Sequence, residues 1–136
     1  MKRMKIDLTA TGEGTLECVG FKSFRCVGKK GMSYPKHIYV NPASRGAKEN
    51  PHFSAKYSCT PYDDRFGRCV MKHSIQLIWQ WGVYIHEWVP GASISTGGPS
   101  HGCIHLDTGN AEEVYNWVDQ PVDVRFSYPW RATSRP

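Results

Sequence analysis

Apolar and polar side chains alternate along much of this chain, the period of two that marks strands with one face in a core. Met4 to Thr9, Thr15 to Val19 and Lys22 to Val27 show it in succession, punctuated by Gly20 and by Gly28-Lys29-Lys30-Gly31. They predict an antiparallel meander. His37-Ile38-Tyr39-Val40 is a further short strand, and Asn41 to Pro51 has the composition of a loop. A long loop over about 41–68 is expected to rim a site rather than fill a core. From Val70 to Trp81 the chain is apolar without clean alternation, with Ile75, Leu77 and Trp79 able to share one strand face.

Gly82 to Trp88 reads as a compact strand ending at Pro90-Gly91. Gly97, Gly98 and Gly102 then mark a loop entering His101-Gly102-Cys103-Ile104-His105-Leu106. The period lengthens over Ala111 to Val118, the main helix, with Asn110 or Thr108 as its cap and Glu112 and Glu113 at the positive end of its dipole. Pro121 stops it, Val122 to Phe126 alternates as a last strand, and 127–136 reads as an extended tail. These elements predict a mainly β, mainly antiparallel fold with one helix near the C terminus. The 136 residues suit one domain, 1–136.

Composition adds a sign to this picture. Lys and Arg number 17 against 12 Asp and Glu, a formal charge of +5, which favours an anionic polymer without saying which. No run approaches the length of a membrane-spanning helix, and Met1 to Lys5 leads straight into alternating sequence, so neither stable membrane insertion nor a signal peptide is expected. No phosphate-binding glycine loop or nucleic-acid motif is recognisable, and no nucleic-acid partner is expected. Trp79, Trp81, Trp88, Trp117 and Trp130 would also suit a noncatalytic module that binds wall or polymer by stacking.

The five cysteines divide by context. Cys59 and Cys69 bracket a turn-rich segment, and a disulfide between them would contribute about 3 kcal/mol through loop closure. Four unbridged thiols at Cys18, Cys26, Cys59 and Cys69 are the other reading. Cys103 stands apart inside Ser100-His101-Gly102-Cys103-Ile104-His105, with His86 ending a strand 17 residues earlier. A thiol becomes a nucleophile when a base or a positive neighbour favours its thiolate, and His86 can supply both. Gly102 permits a tight turn, after which the Gly102 and Cys103 amides can face the oxyanion formed by attack on a carbonyl. The rival chemistry is a zinc site, because on a strand His101, Cys103 and His105 would share a face and His86 could complete the set.

Ile85-His86, a 13-residue spacer and Ser100-His101-Gly102-Cys103-Ile104-His105 together resemble the L,D-transpeptidase catalytic domain, the YkuD-like family of peptidoglycan enzymes. The resemblance covers residues 83–126, including the helix and the strand after Pro121. Glu87 stands where many members have Gly, and His105 where many have Arg or Asn. The resemblance implies a YkuD-like β-sandwich, Cys103 as nucleophile forming a thioester with a stem peptide, and no cofactor or metal. It makes His86 the base, oriented by the Glu87 backbone carbonyl, with His101 lining the acyl site or donating a proton. Ser100 and His105 would line the substrate site.

On loops, Arg45, Lys48, Arg65 and Arg68 are the first candidates to meet stem-peptide carboxylates. An amine acceptor would make the enzyme a transpeptidase, and water would make it a peptidase or amidase. With no export or wall-anchoring feature recognised, the expectation leans to crosslink cleavage in the periplasm or a target cell's periplasm. Such a protein resembles effectors and phage lytic enzymes, reaching the wall through a secretion apparatus or phage; an effector would have a cognate immunity protein as partner.

Overall fold

The computed structural model describes residues 1–46, 51–53, 68–70, 73–78, 83–87 and 102–131, with 51–53 and 68–70 described by backbone alone. β1 (Lys2–Leu8), β2 (Glu13–Cys18) and β3 (Lys22–Val27) form the expected antiparallel meander. Met4, Ile6 and Leu8 point inward from β1, Leu16 and Cys18 from β2, and Phe24 and Cys26 from β3, whereas Arg3, Lys5 and Asp7 face solvent. Each fully buried Ile or Leu of this face stabilises the fold by about 1.5–3 kcal/mol relative to exposure.

After β4 (His37–Val40) and a 3-10 turn at Pro42–Ser44 come β5 (Pro51–Phe53), β6 (Arg68–Val70), β7 (Ile75–Ile78), β8 (Val83–Glu87) and β9 (Ile104–Leu106). Helix α1 (Asn110–Trp117) and β10 (Val122–Ser127) follow. Eight strands make one sheet in the order β4-β10-β1-β2-β3-β9-β8-β7, and β5 pairs with β6 as a separate two-stranded ribbon. β5 lies within the segment expected to be a long loop, and β6 begins at that segment's end.

The sheet curls. β4 and β7, at opposite ends of the strand order, lie against each other, and Arg45 forms an antiparallel bridge with Ile75. The result is a sandwich close to a barrel, with the inward side chains of both ends packed into one core. The mainly β architecture with one main helix is the one expected from the sequence. Two neighbouring pairs, however, are parallel: β1 with β10 and β8 with β9. Alternation reports which face a strand buries but not the direction of its neighbour, so the meander at the N terminus did not foretell them.

Two local features differ from the sequence reading. The helix cap is Gly109, at φ +87, with no side-chain capping bond; Asp107 instead accepts the Asn110 and Ala111 amides through its carbonyl. The segment read as a tail is tied down where it is described. Ser127 belongs to β10, Tyr128 donates to the Tyr34 carbonyl at 2.7 Å, and Trp130 Nε1 donates to the Met32 carbonyl at 3.0 Å. Residues 132–136 lie outside the described residues.

The two faces of β1 make a direct test of this packing. Ile6→Ala should lower the unfolding free energy by about 2–5 kcal/mol in a denaturant titration, through lost transfer energy and a cavity. Lys5→Ala on the outer face should change it by no more than about 0.5 kcal/mol. Equal effects at the two positions would contradict the assignment of inner and outer faces.

Candidate active site

Ile104, His105 and Leu106 are all buried, and β9 carries them between β3 and β8. Its pairing with β8 is parallel, with Ile85 opposite Ile104, His86 opposite His105 and Glu87 opposite Leu106. Residues in register on adjacent strands project from the same face, so the two histidines meet. Their rings are 4.7 Å apart between centroids in an edge-to-face arrangement at 65°, and each residue is 5% exposed.

Cys103 immediately precedes β9. It is half-buried, unlike the fully buried thiols Cys18 and Cys26 of the meander. The backbone N–H of Tyr84, two residues before His86 on β8, hydrogen-bonds the Cys103 sulfur. Burial pushes the Cys103 thiol up to about 11, and the Tyr84 N–H opposes that rise without overcoming it. Near neutral pH the sulfur therefore keeps its proton at rest, and attack on a carbonyl calls for a nearby base.

His86 has the form of that base. Its Nδ1 lies 2.6 Å from the Glu87 carbonyl oxygen. A carbonyl only accepts, so Nδ1 carries a proton, and in the neutral imidazole the lone pair is on Nε2. The Glu87 side chain is buried, on a strand flanked by β7 and β9 and packed by α1. His105, equally buried, packs edge-to-face against His86.

Gly102 is required by its surroundings. Its φ is +125°, and a Cβ there would stand 2.9 Å from Met32 Sδ and 3.4 Å from Val83 Cγ2. Its carbonyl accepts the Tyr34 hydroxyl at 2.7 Å. Met32 and Tyr34 were not singled out in the sequence. They sit in a stretch that reads as turn punctuation, and nothing local reveals that it folds back against Gly102.

The remaining candidates separate by position. Ser100, His101, Lys48, Arg65 and Cys59 lie outside the described residues. Arg68 and Cys69 are on β6, described by backbone, with Cys69 opposite His52. Arg45 donates to the Pro42 carbonyl at 3.4 Å and the Tyr115 carbonyl at 3.3 Å, and its guanidinium lies 5.0 Å from the Tyr115 ring centroid. Those contacts tie the 3-10 turn to α1. Among the described residues no group of three or more His, Cys, Asp or Glu is placed to hold a metal ion, and no helix is long and apolar enough to cross a membrane.

Solved structures share this fold. L,D-transpeptidase 1 of Mycobacterium tuberculosis superposes with a TM-score of 0.59 at 17% identity, covering 93% of this chain and 62% of that one. L,D-transpeptidase 3 of the same organism, in complex with a faropenem-derived adduct, gives 0.56 at 20% identity over 91% of this chain and 60% of that one. An L,D-transpeptidase from Mycobacterium smegmatis gives 0.52 at 14% identity over 93% and 59%. The chain thus spans about three fifths of the length of these relatives. No curated protein sequence matches it. Residues 10–124 match the family model of the L,D-transpeptidase catalytic domain, and with most of its length inside that match, the chain belongs to the YkuD family.

Proposed function

We propose that this domain is a cysteine acyltransferase of peptidoglycan stem peptides, working at the wall outside the cytoplasmic membrane. The observation that carries the reading is the His86 Nδ1 to Glu87 carbonyl hydrogen bond, 2.6 Å long, in a chain of this family. It leaves Nε2 ready to accept a proton on the strand whose Tyr84 N–H meets the Cys103 sulfur.

The reaction runs in two halves. His86 Nε2 takes the thiol proton as the Cys103 sulfur attacks a stem-peptide carbonyl carbon. The Gly102 and Cys103 amides stabilise the oxyanion, as the Gly102 turn would allow. The tetrahedral species collapses, the amide C–N bond breaks, and the imidazolium returns its proton to the leaving amine. A thioester on Cys103 remains. An acceptor amine then attacks the thioester carbonyl, passes a proton to His86, and leaves with a new amide bond as the thiol is restored. Water in place of the amine would release a carboxylic acid.

Amine transfer is the better supported half-reaction. The family and the solved relatives carry the name of transpeptidases, whereas the expectation of crosslink cleavage rested on export and anchoring features not recognised in this stretch of chain. The formal charge of +5 suits carboxylate-bearing stems in either case.

Incubation with muropeptides and a D-amino acid, followed by mass spectrometry, should yield exchanged peptides or new dimers. Products that are only monomers with one added water would establish hydrolysis instead. Cys103→Ala should abolish every product, and His86→Ala should lower turnover by about 10²–10⁴-fold with the fold retained.

The raised thiol gives a second expectation. With no substrate bound, iodoacetamide should alkylate Cys103 slowly at pH 7 and faster at each step towards pH 10, because the reactive thiolate grows only as pH approaches about 11. A rate already level near neutral pH would mean a preformed thiolate and would contradict the protonated resting state.

A further inference from the structure

We propose that Tyr34 is a positioning residue for the nucleophile, its hydroxyl locking the Gly102–Cys103 peptide and so setting where the Cys103 sulfur stands relative to His86. The inference rests on the acyl-enzyme reading above and adds to it a residue distant in sequence from the cysteine motif.

Tyr34 is 2% exposed, and its hydroxyl lies between two backbone groups. The Lys29 N–H donates to it at 2.8 Å, and it donates to the Gly102 carbonyl at 2.7 Å. The polarity follows from the groups themselves. An amide can only give and a carbonyl can only accept, so the single phenolic proton is directed at Gly102. Burial raises the phenol well above its ordinary range, which keeps that proton in place throughout the working pH range.

Peptide planarity carries the constraint onward. Once the Gly102 carbonyl is fixed, the Cys103 nitrogen and Cα are fixed in the same plane. Without such an anchor a glycine has the widest backbone freedom of any residue, and Gly102 sits at φ +125°. Met32 packs under the same glycine, close enough that a Cβ would meet its Sδ at 2.9 Å.

The anchor is itself braced. The Tyr34 ring stacks on Phe126 of β10 at 4.9 Å and 3°, and Tyr128 donates to the Tyr34 carbonyl at 2.7 Å. Trp130 Nε1 holds the Met32 carbonyl at 3.0 Å and its ring stacks on Tyr128. Room for the phenol is made by Gly28, where a Cβ would stand 3.0 Å from the Tyr34 hydroxyl oxygen. A tyrosine needed only to fill the core would gain nothing from a hydroxyl aimed at the residue before the nucleophile.

Tyr34→Phe keeps the ring and removes the hydroxyl, and the full chain can be assayed with muropeptides. The expected result is a fall in kcat of about tenfold to a hundredfold with KM unchanged, the signature of lost alignment rather than lost binding. Alkylation of Cys103 by iodoacetamide at pH 9 should stay within about twofold, since that reaction needs only an accessible sulfur. Wild-type kcat in a folded Tyr34→Phe protein would overturn the inference, and so would an equal fall in turnover and alkylation, which would mean general disturbance of the loop.

If Tyr34→Phe does not fold, Tyr128→Phe decides, because it loosens the same anchor from outside. A fall in kcat at constant KM is expected there, and an unchanged kcat would overturn the proposal. Failure of the underlying reading looks different: a wild-type protein no more active than Cys103→Ala removes the acyl-enzyme itself.

Discussion

In the strand order, β9 lies between the run β4-β10-β1-β2-β3 and the pair β8-β7, and its parallel pairing with β8 carries Ile104, His105 and Leu106 into that join. On the β3 side the register contains one pair, Val27 with His105, so β8 is the main partner that holds β9 in place. Arg25 on β3 adds an ion pair of 2.7 Å to Asp107 just past the end of β9, which aligns the junction more than it stabilises it. His86, Cys103 and His105 all lie on or next to this seam. His86 and His105 face each other because their strands run the same way, and Cys103 meets the Tyr84 amide because the chain enters β9 beside the start of β8.

Burying such a seam sets two demands against each other. Low polarity around Cys103 raises its thiol to about 11 and so suppresses the thiolate at rest. The same environment strengthens any hydrogen bond that forms during reaction. The Glu87 carbonyl resolves the conflict for His86 by holding a proton on Nδ1, so that the base proposed here is oriented before substrate arrives. Gly102 resolves it for the backbone, since only a residue without a side chain can turn at φ +125° against Met32. A thiol that keeps its proton at rest suits the nucleophile proposed here, one that reacts with a bound carbonyl and resists adventitious chemistry.

Much of this was legible in the chain itself, unevenly so. Strict alternation in β1 and β10 identified their inner faces, because one polar residue on the wrong side of either strand would leave a charge in the core. The parallel partners of those strands were not legible, since neighbours in a sheet are chosen by the whole topology. Glu87 reads as a surface residue by charge and is buried by the strands and helix around it. Gly109 took the capping position ahead of Asn110 and Thr108 because a left-handed turn at φ +87° is needed where the chain leaves β9. Tyr34 is the clearest case of information held only in three dimensions: it meets Gly102 from 68 residues away through the packing of Phe126, Tyr128 and Trp130.

The central claim is that Cys103 becomes acylated by a stem peptide, and the intact mass of the protein tests it most directly. Protein mixed with muropeptides and quenched in acid within the first turnovers should carry an acyl group, located on Cys103 by fragmentation and removed by hydroxylamine as a thioester is. The adduct should be absent from Cys103→Ala and should accumulate when the acceptor amine is withheld. Turnover that proceeds with no adduct on Cys103, and that survives its alkylation, would contradict the account.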